Sequence, residues 1–288
     1  MLDSRQNQLY MTCRIILAII GLSLSAQTGI AQDRIFTYTY QSNTLAPGQK
    51  ELEIWTTVRT GREGYYRSLD NRFEFEVGIA KNLQTAFYLN SFQTAQEVRF
   101  LDNLANETIS IEQSIGWSFS NEWKLKLSDP VGNVIGSALY GEFTIAPTET
   151  ELEFKLILDK KTGPFFHALN LETELEFESE IESEDVKQEV EVEEKTKFKL
   201  VYGLARNLGQ HWHVGLESFL KAGQAKDPMD YMVLFAGPGF SYSKGSFWLN
   251  LTVMPQVACL LHPTEGASGL YLEKEEKLQT RLMFSYVF

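Results

Sequence analysis

The chain has 288 residues and a net charge of −12, length enough for one large all-β domain or two smaller units. That acidic balance excludes nucleic acid as a partner, since a backbone binder needs clustered Lys and Arg to displace counterions. With 43% hydrophobic residues and a mean hydropathy of −0.21 there is no apolar surplus for a helical membrane protein, whereas a β-barrel needs only every second residue apolar and hides in such a composition.

Residues 11–31 (MTCRIILAIIGLSLSAQTGIA) carry Arg14, an apolar run over 15–24, and the small residues Gly29 and Ala31. This is the order of a secretory signal peptide. Residues 1–31 are therefore expected as the leader with Met11 as initiator, residues 32–50 as a periplasmic N-terminal segment, and residues 51–288 as the barrel. Ser23, Ser25, Gln27 and Thr28 interrupt the apolar run before the ~20 residues a spanning helix requires. Cys13 precedes that run, so it is not placed for lipid attachment, and Cys259 is the one cysteine left in the mature chain. No internal disulfide is expected.

From residue 51 onward apolar and polar residues alternate, as they do when successive side chains of a strand point to opposite faces. Residues 51–60 set Leu52, Ile54 and Val58 against Glu51, Glu53 and Arg59, and residues 72–79 set Phe73, Phe75, Val77 and Ile79 against Arg72, Glu74 and Glu76. A strand over 83–89 follows the short turn Lys81-Asn82. Over 109–127 the phase holds through Ile111, Ile115, Trp117, Phe119, Trp123 and Leu125, which suits one long tilted strand or two strands with a turn near Asn121. Segments at 135–144, 151–158, 168–177, 197–204, 212–221, 231–242, 247–257 and 277–288 bring the total to about 12 strands. The predicted fold is all-β, an antiparallel transmembrane β-barrel whose even strand count returns the last strand beside the first. Long connections at 93–107, 178–196, 223–230 and 260–276 alternate with short ones at 80–82, 129–133, 159–164, 206–210 and 243–245. Long external loops and tight periplasmic turns produce that asymmetry; only 147–150 is short where a long loop is allowed. Pro238 forfeits a ladder bond within a predicted strand and is expected to mark a bulge.

The last segment, KLQTRLMFSYVF, puts Leu278, Leu282, Phe284, Tyr286 and Phe288 on one face and Lys277, Gln279, Arg281 and Ser285 on the other. Leu282, Phe284, Tyr286 and Phe288 resemble the insertion signal of bacterial outer-membrane barrels. That resemblance implies the outer membrane of a Gram-negative cell as location, and outer-membrane lipid, lipopolysaccharide and the barrel-assembly machinery as partners. Residues 60–93 (TGREGYYRSLDNRFEFEVGIAKNLQTAFYLNSFQ), LSDPVGNVIGSALYGEF and ELEFKLILDK resemble uncharacterised bacterial outer-membrane barrels, near those assigned to transport or to phenol-degradation meta-pathways. The resemblance covers most of the mature chain and implies a barrel, with no catalytic residue to carry over.

Arg59, Arg72, Glu74, Glu76, Glu112, Glu142, Glu153, Lys155, Glu172, Glu174, Lys199, Glu217 and Arg281 take the inward phase. The opposite phase would cost about 2–4 kcal/mol for each Arg or Lys facing lipid at mid-membrane. Two readings of this wall stay open: a pore whose charges select a small solute, or a structural barrel closed by Arg–Glu pairs. A lipid-acting enzyme is a third class, but no nucleophile–base pair stands out and no catalysis is expected. No phosphate loop or dinucleotide fingerprint is present, so no cofactor is expected. His211 and His213 flank Trp212 at strand spacing without a third clear ligand, so no metal is expected there either. In the acidic run 172–194, Glu172, Glu174 and Glu176 belong to the wall, and residues 178–194 are expected as a solvated loop lacking the glycine turn of a calcium loop.

Overall fold

The computed structural model describes residues 34–101, 107–184, 187–223, 231–264 and 266–288; the expected leader lies outside them. The strands are β1 (Lys50–Thr60), β2 (Tyr66–Ala80), β3 (Leu83–Leu101), β4 (Glu107–Ser128), β5 (Gly136–Ile145), β6 (Glu149–Thr162), β7 (Phe165–Glu184), β8 (Lys187–Leu208), β9 (Trp212–Gly223), β10 (Tyr231–Lys244), β11 (Phe247–Leu261) and β12 (Leu278–Val287). Each pairs antiparallel with its neighbour in sequence, and β1 pairs with β12 from Glu51↔Val287 to Thr60↔Leu278, so the barrel closes with no free edge.

Alternation explains the two surfaces. Phe284, Ile54, Phe73, Leu89 and Phe119 are direct cross-strand neighbours over β12, β1, β2, β3 and β4, and all are exposed. Leu139, Leu156, Leu171 and Leu200 continue the belt over β5 to β8. An apolar belt running from strand to strand is unlike the small patches of a water-soluble surface, and it leaves the polar phase, including buried Glu51, Glu53, Glu74, Glu122 and Lys155, to the interior.

The strands outrun their expected lengths. The stretch 109–127 belongs to a single strand, β4. Of the expected loop 93–107, residues 93–101 belong to β3, and most of 178–196 continues the β7–β8 ladder through Glu178↔Glu193 to Glu184↔Lys187. Cross-strand charge helps hold that ladder: Lys195 Nζ lies 2.7 Å from Glu178 and 3.0 Å from Glu193. Glu178 and Glu193 face each other across the ladder, and the one ammonium between them offsets the repulsion of that like-charged pair.

Pro238 also departs from expectation. The β10–β11 register keeps one phase from Phe235↔Gln256 to Gly239↔Thr252, and the shifts lie at Met232/Val233 and Leu234/Phe235. The backbones approach closely beside the proline, because a Cβ on Gly237 would stand 1.7 Å from the Val253 carbonyl oxygen. Gly237→Val is expected to destabilise the inserted barrel by about 1–3 kcal/mol through overpacking. Urea unfolding from lipid vesicles measures this, and an unchanged midpoint contradicts the close approach.

The largest surprise precedes β1. Residues 34–49, expected as a periplasmic segment ahead of the barrel, fold back inside it. Gly48 N–H donates to the Gly78 carbonyl at 2.8 Å and Gly78 N–H to the Gln49 carbonyl at 2.9 Å, which seats the entry to the interior near the tight β2–β3 turn. Gly78 is required there: a Cβ would lie 2.1 Å from the Ala46 carbonyl oxygen. Ile35, Phe36, Tyr40 and Leu45 are buried. Ile35 and Phe36 pack on Ala168 and Ala205, small wall residues that make room for them.

Candidate functional site

An extended segment inside a barrel has no ladder for its amides, so side chains of the wall must serve them. The Glu217 carboxylate on β9 accepts the amides of Thr37, Tyr38 and Thr39 at 2.9, 2.8 and 2.8 Å, and the hydroxyls of both threonines. Asn170 on β7 imitates a strand, accepting Tyr40 N–H at 2.6 Å and donating to the Tyr40 carbonyl at 3.0 Å. Asp159 on β6 holds the Ser42 amide and hydroxyl, and Gln84 on β3 holds the Leu45 amide. Asn250 on β11 donates to the Arg34 carbonyl and Arg281 on β12 to the Thr37 carbonyl. Six strands thus grip one short plug, each through a polar side chain on its inward phase.

Above the plug lies a cavity of about 530 Å³, floored by Tyr38 and Tyr40. Its charged lining comprises Arg59, Arg72, Lys155, Lys197, Lys199, Lys221 and Arg281 against Asp70, Glu149, Glu151, Glu153, Glu172, Glu174 and Glu276, seven of each sign. The kinds are segregated. All three arginines stand on β12, β1 and β2, whereas five of the seven carboxylates stand on β6 and β7, across the barrel.

On the arginine side the guanidiniums stack on aromatic faces. Arg281 lies 4.0 Å from the Tyr38 ring centroid, and Arg72 lies 4.4 Å from that of Tyr88 and 5.2 Å from that of Trp55. Arg59 pairs with Asp70 at 2.8 Å and Arg72 with Glu142 at 3.3 Å, but Arg281 has no carboxylate partner among the described residues. On the far side Lys155 meets Glu153 at 2.9 Å, and Glu174 accepts Lys197 at 2.8 Å and Lys199 at 2.9 Å. Glu149 and Glu151 make no ion pair among the described residues. In the β11–β12 connection, burial alone would raise the Glu275 carboxyl, but the Lys221 ammonium at 2.7 Å outweighs it and holds Glu275 below its usual range.

Of the thirteen residues expected on the inner wall, Arg59, Arg72, Glu153, Lys155, Glu172, Glu174, Lys199 and Arg281 border the cavity. Glu142 is buried beneath it as the partner of Arg72, and Glu217 is committed to the plug. Glu74 and Glu76 sink into a separate buried acidic cluster, and Glu112 is exposed on the β3–β4 hairpin opposite Gln96. Glu151, Lys197 and Lys221 are inward residues at the ends of strands expected from the sequence, and Asp70 and Glu149 lie two residues before theirs, so strand phase finds all five. Tyr38 and Tyr40 carried no such signal. His211 Nδ1–H donates to the Ser243 carbonyl, 2.9 Å away, which holds that ring in the β8–β9 turn.

Comparison with known proteins places this geometry in context. The chain is similar to the COG4313 outer membrane channel from Pseudomonas putida F1 at 9% identity and a TM-score of 0.55, over 88% of this chain and 100% of that one. It is also similar to the translocator domain of autotransporter NalP from Neisseria meningitidis at 11% identity and a TM-score of 0.52, over 99% and 98%. At such identities the likeness establishes the fold, that of an outer-membrane β-barrel. No curated protein sequence matches. Residues 28–288 match the model of the Family of unknown function (DUF6662), so they carry both plug and barrel within one family pattern, and the chain belongs to that family.

Proposed function

We propose that this protein lies in a bacterial outer membrane and passes a small polar solute through its lumen, with residues 34–49 as a plug that closes the periplasmic half. The observation that carries the reading is the charged cavity above the plug, with arginines facing glutamates across it. A barrel needed only as a scaffold has no use for a chamber of that volume. Arg281 is free of carboxylates and suits an anionic group, while Glu149 and Glu151 suit a cationic one. A solute carrying both charges fits the two walls together. Similarity in fold to an outer membrane channel supports the same reading.

A structural barrel is the second reading, favoured by the number of wall side chains committed to the plug. Planar-bilayer recordings separate the two: a channel gives resolved steps and a change in selectivity when the cavity charges are altered, whereas a scaffold stays silent with the plug present or removed.

Residence in a membrane has its own test. Tyr286 faces outward opposite Leu52 and Phe247, and Phe288 bonds through its backbone to Lys50. Tyr286→Asp with Phe288→Asp is expected to block insertion into phospholipid vesicles, since carboxylates would enter the apolar belt at the seam that closes the barrel. The assay is the heat-sensitive shift in gel mobility; a wild-type yield of folded double mutant sinks the membrane reading.

A further inference from the structure

Beside the plug, five glutamates of the wall are buried almost completely: Glu51, Glu53, Glu74, Glu76 and Glu122 are 2%, 3%, 2%, 4% and 0% exposed. The first two have clear compensation. Glu51 accepts the indole N–H of Trp248 at 2.7 Å and the hydroxyl of Ser285, and Glu53 accepts that of Trp55 at 2.7 Å and Arg34 at 3.5 Å. Glu74, Glu76 and Glu122 do not. Each offers an oxygen within 4.8 Å of the oxygens of the other two, and no ion pair joins any of them to a cation among the described residues.

The pattern of hydrogen bonds within this trio points at a ligand. Glu76 gives Oε2 to Gln84 Nε2 at 2.9 Å, and Glu122 gives Oε2 to the Tyr88 hydroxyl. Both donors are neutral, so neither offsets the charge of the carboxylate it holds. Glu122 Oε1 then has no partner, and Glu74 has none for either oxygen. Three oxygens of two carboxylates thus lack a donor in a site closed to solvent, and each carboxylate, while ionised, costs several kcal/mol unless a positive charge sits beside it. A void of about 20 Å³ borders Glu76 and is lined also by Lys124 and Arg34. It has room for one water. Arg34 and Lys124 set against five carboxylates still leave three negative charges.

We propose that Glu74, Glu76 and Glu122 bind one calcium-sized divalent cation. A ligand set made only of carboxylate oxygens selects a hard ion. Each residue offers an oxygen within 4.8 Å of the other two, close enough for the three to share one ion at Ca–O distances of about 2.3–2.6 Å. Glu74 can bind through both oxygens and the adjoining void can supply water. Magnesium, which keeps several waters and demands a tight octahedron, fits this closed space poorly. Gln84 and Tyr88 fix the orientation of two ligands from outside the coordination sphere. The site joins β2 to β4 across β3 and lies against the plug, because Gln84, which donates to Glu76, also accepts the Leu45 amide.

The test uses the full folded barrel in detergent, stripped with EDTA and titrated with terbium, whose luminescence nearby aromatic residues such as Tyr88 and Trp55 sensitise. One terbium per barrel is expected, displaced by calcium and at least about ten-fold less well by magnesium. Glu74→Gln and Tyr88→Phe are expected to weaken binding by about ten-fold or more, and Glu273→Gln on the exposed β11–β12 connection to leave it unchanged. Because Glu74→Gln can fail to fold, metal content of the wild-type protein after dialysis against calcium is measured in parallel. One equivalent supports the site. A folded wild-type barrel without stoichiometric metal, its trio sharing protons instead, overturns it, as does unaltered binding by folded Glu74→Gln.

Discussion

Replacing Glu217 with alanine is expected to unseat the plug and turn a mostly closed barrel into a mostly open one. One carboxylate serves three consecutive amides and both flanking threonine hydroxyls of the plug, and accepts Thr252 Oγ1 of the wall at 2.7 Å besides. Hydrogen bonds to a charged group contribute about 1.5–3 kcal/mol each, and the amides left behind are buried without acceptors. Part of that loss is recovered when the released segment meets water, so a net shift of about 3 kcal/mol in favour of release is a modest expectation. It corresponds to about a hundred-fold change in the closed-to-open ratio. Planar-bilayer recordings would show openings rare in the wild type and about a hundred times more frequent in Glu217→Ala, with deletion of residues 34–47 as the upper limit. Barrel closure does not depend on these residues, since β1 pairs with β12 from Glu51 onward. A heat-sensitive gel shift confirms folding of each variant. If the plug-free barrel folds and conducts nothing, transport is wrong and the structural reading takes its place.

The barrel was legible because lipid enforces a strict rule. Each of Leu52, Ile54, Phe73, Leu89, Phe119, Leu282 and Phe284 had to alternate with polar neighbours, and the period of two reports that directly. Strand ends were less legible, since hairpins that continue beyond the belt are freed from the rule. Thus β7 and β8 run on through Glu178 and Lys195, where no apolar alternation marks them. The plug was not legible at all. Residues 34–49 alternate only briefly, Phe36, Tyr38 and Tyr40 against Thr37 and Thr39, and that short run does not separate a plug from a strand, because its partners are side chains on six different strands and not a neighbouring ladder. For the same reason Glu217 read as one more charged wall residue. Phase alone cannot distinguish a carboxylate facing water from one that caps three amides, nor show that Glu74 and Glu122 stand side by side. Those facts depend on the register of strands far apart in sequence, such as Glu74↔Tyr88 beside Ala86↔Glu122.

The second large effect concerns selectivity, and it is best read in the plug-deleted barrel so that a silent recording is not mistaken for an unselective one. Seven cations and seven anions line the cavity, and Glu151 is among the anions with no ion-pair partner. Glu151 stands across from Glu176 on β7 and Thr144 on β5, so a lysine at that position finds a carboxylate beside it and should fold without strain. Glu151→Lys changes the lining to eight cations and six anions. Two unit charges acting on a permeant ion a few Å away, partly screened by water, amount to about 1–2 kcal/mol. The permeability ratio of chloride to potassium is therefore expected to rise by about ten-fold at low ionic strength. The gain should shrink in molar salt, where the Debye length falls to about 3 Å. The reversal potential under a salt gradient measures the change directly. Glu112→Lys, on the exposed hairpin and away from the cavity lining, should shift it far less. Equal shifts from the two substitutions, or none from Glu151→Lys in a conducting barrel, would mean that ions take a path other than the one between the arginine and glutamate walls.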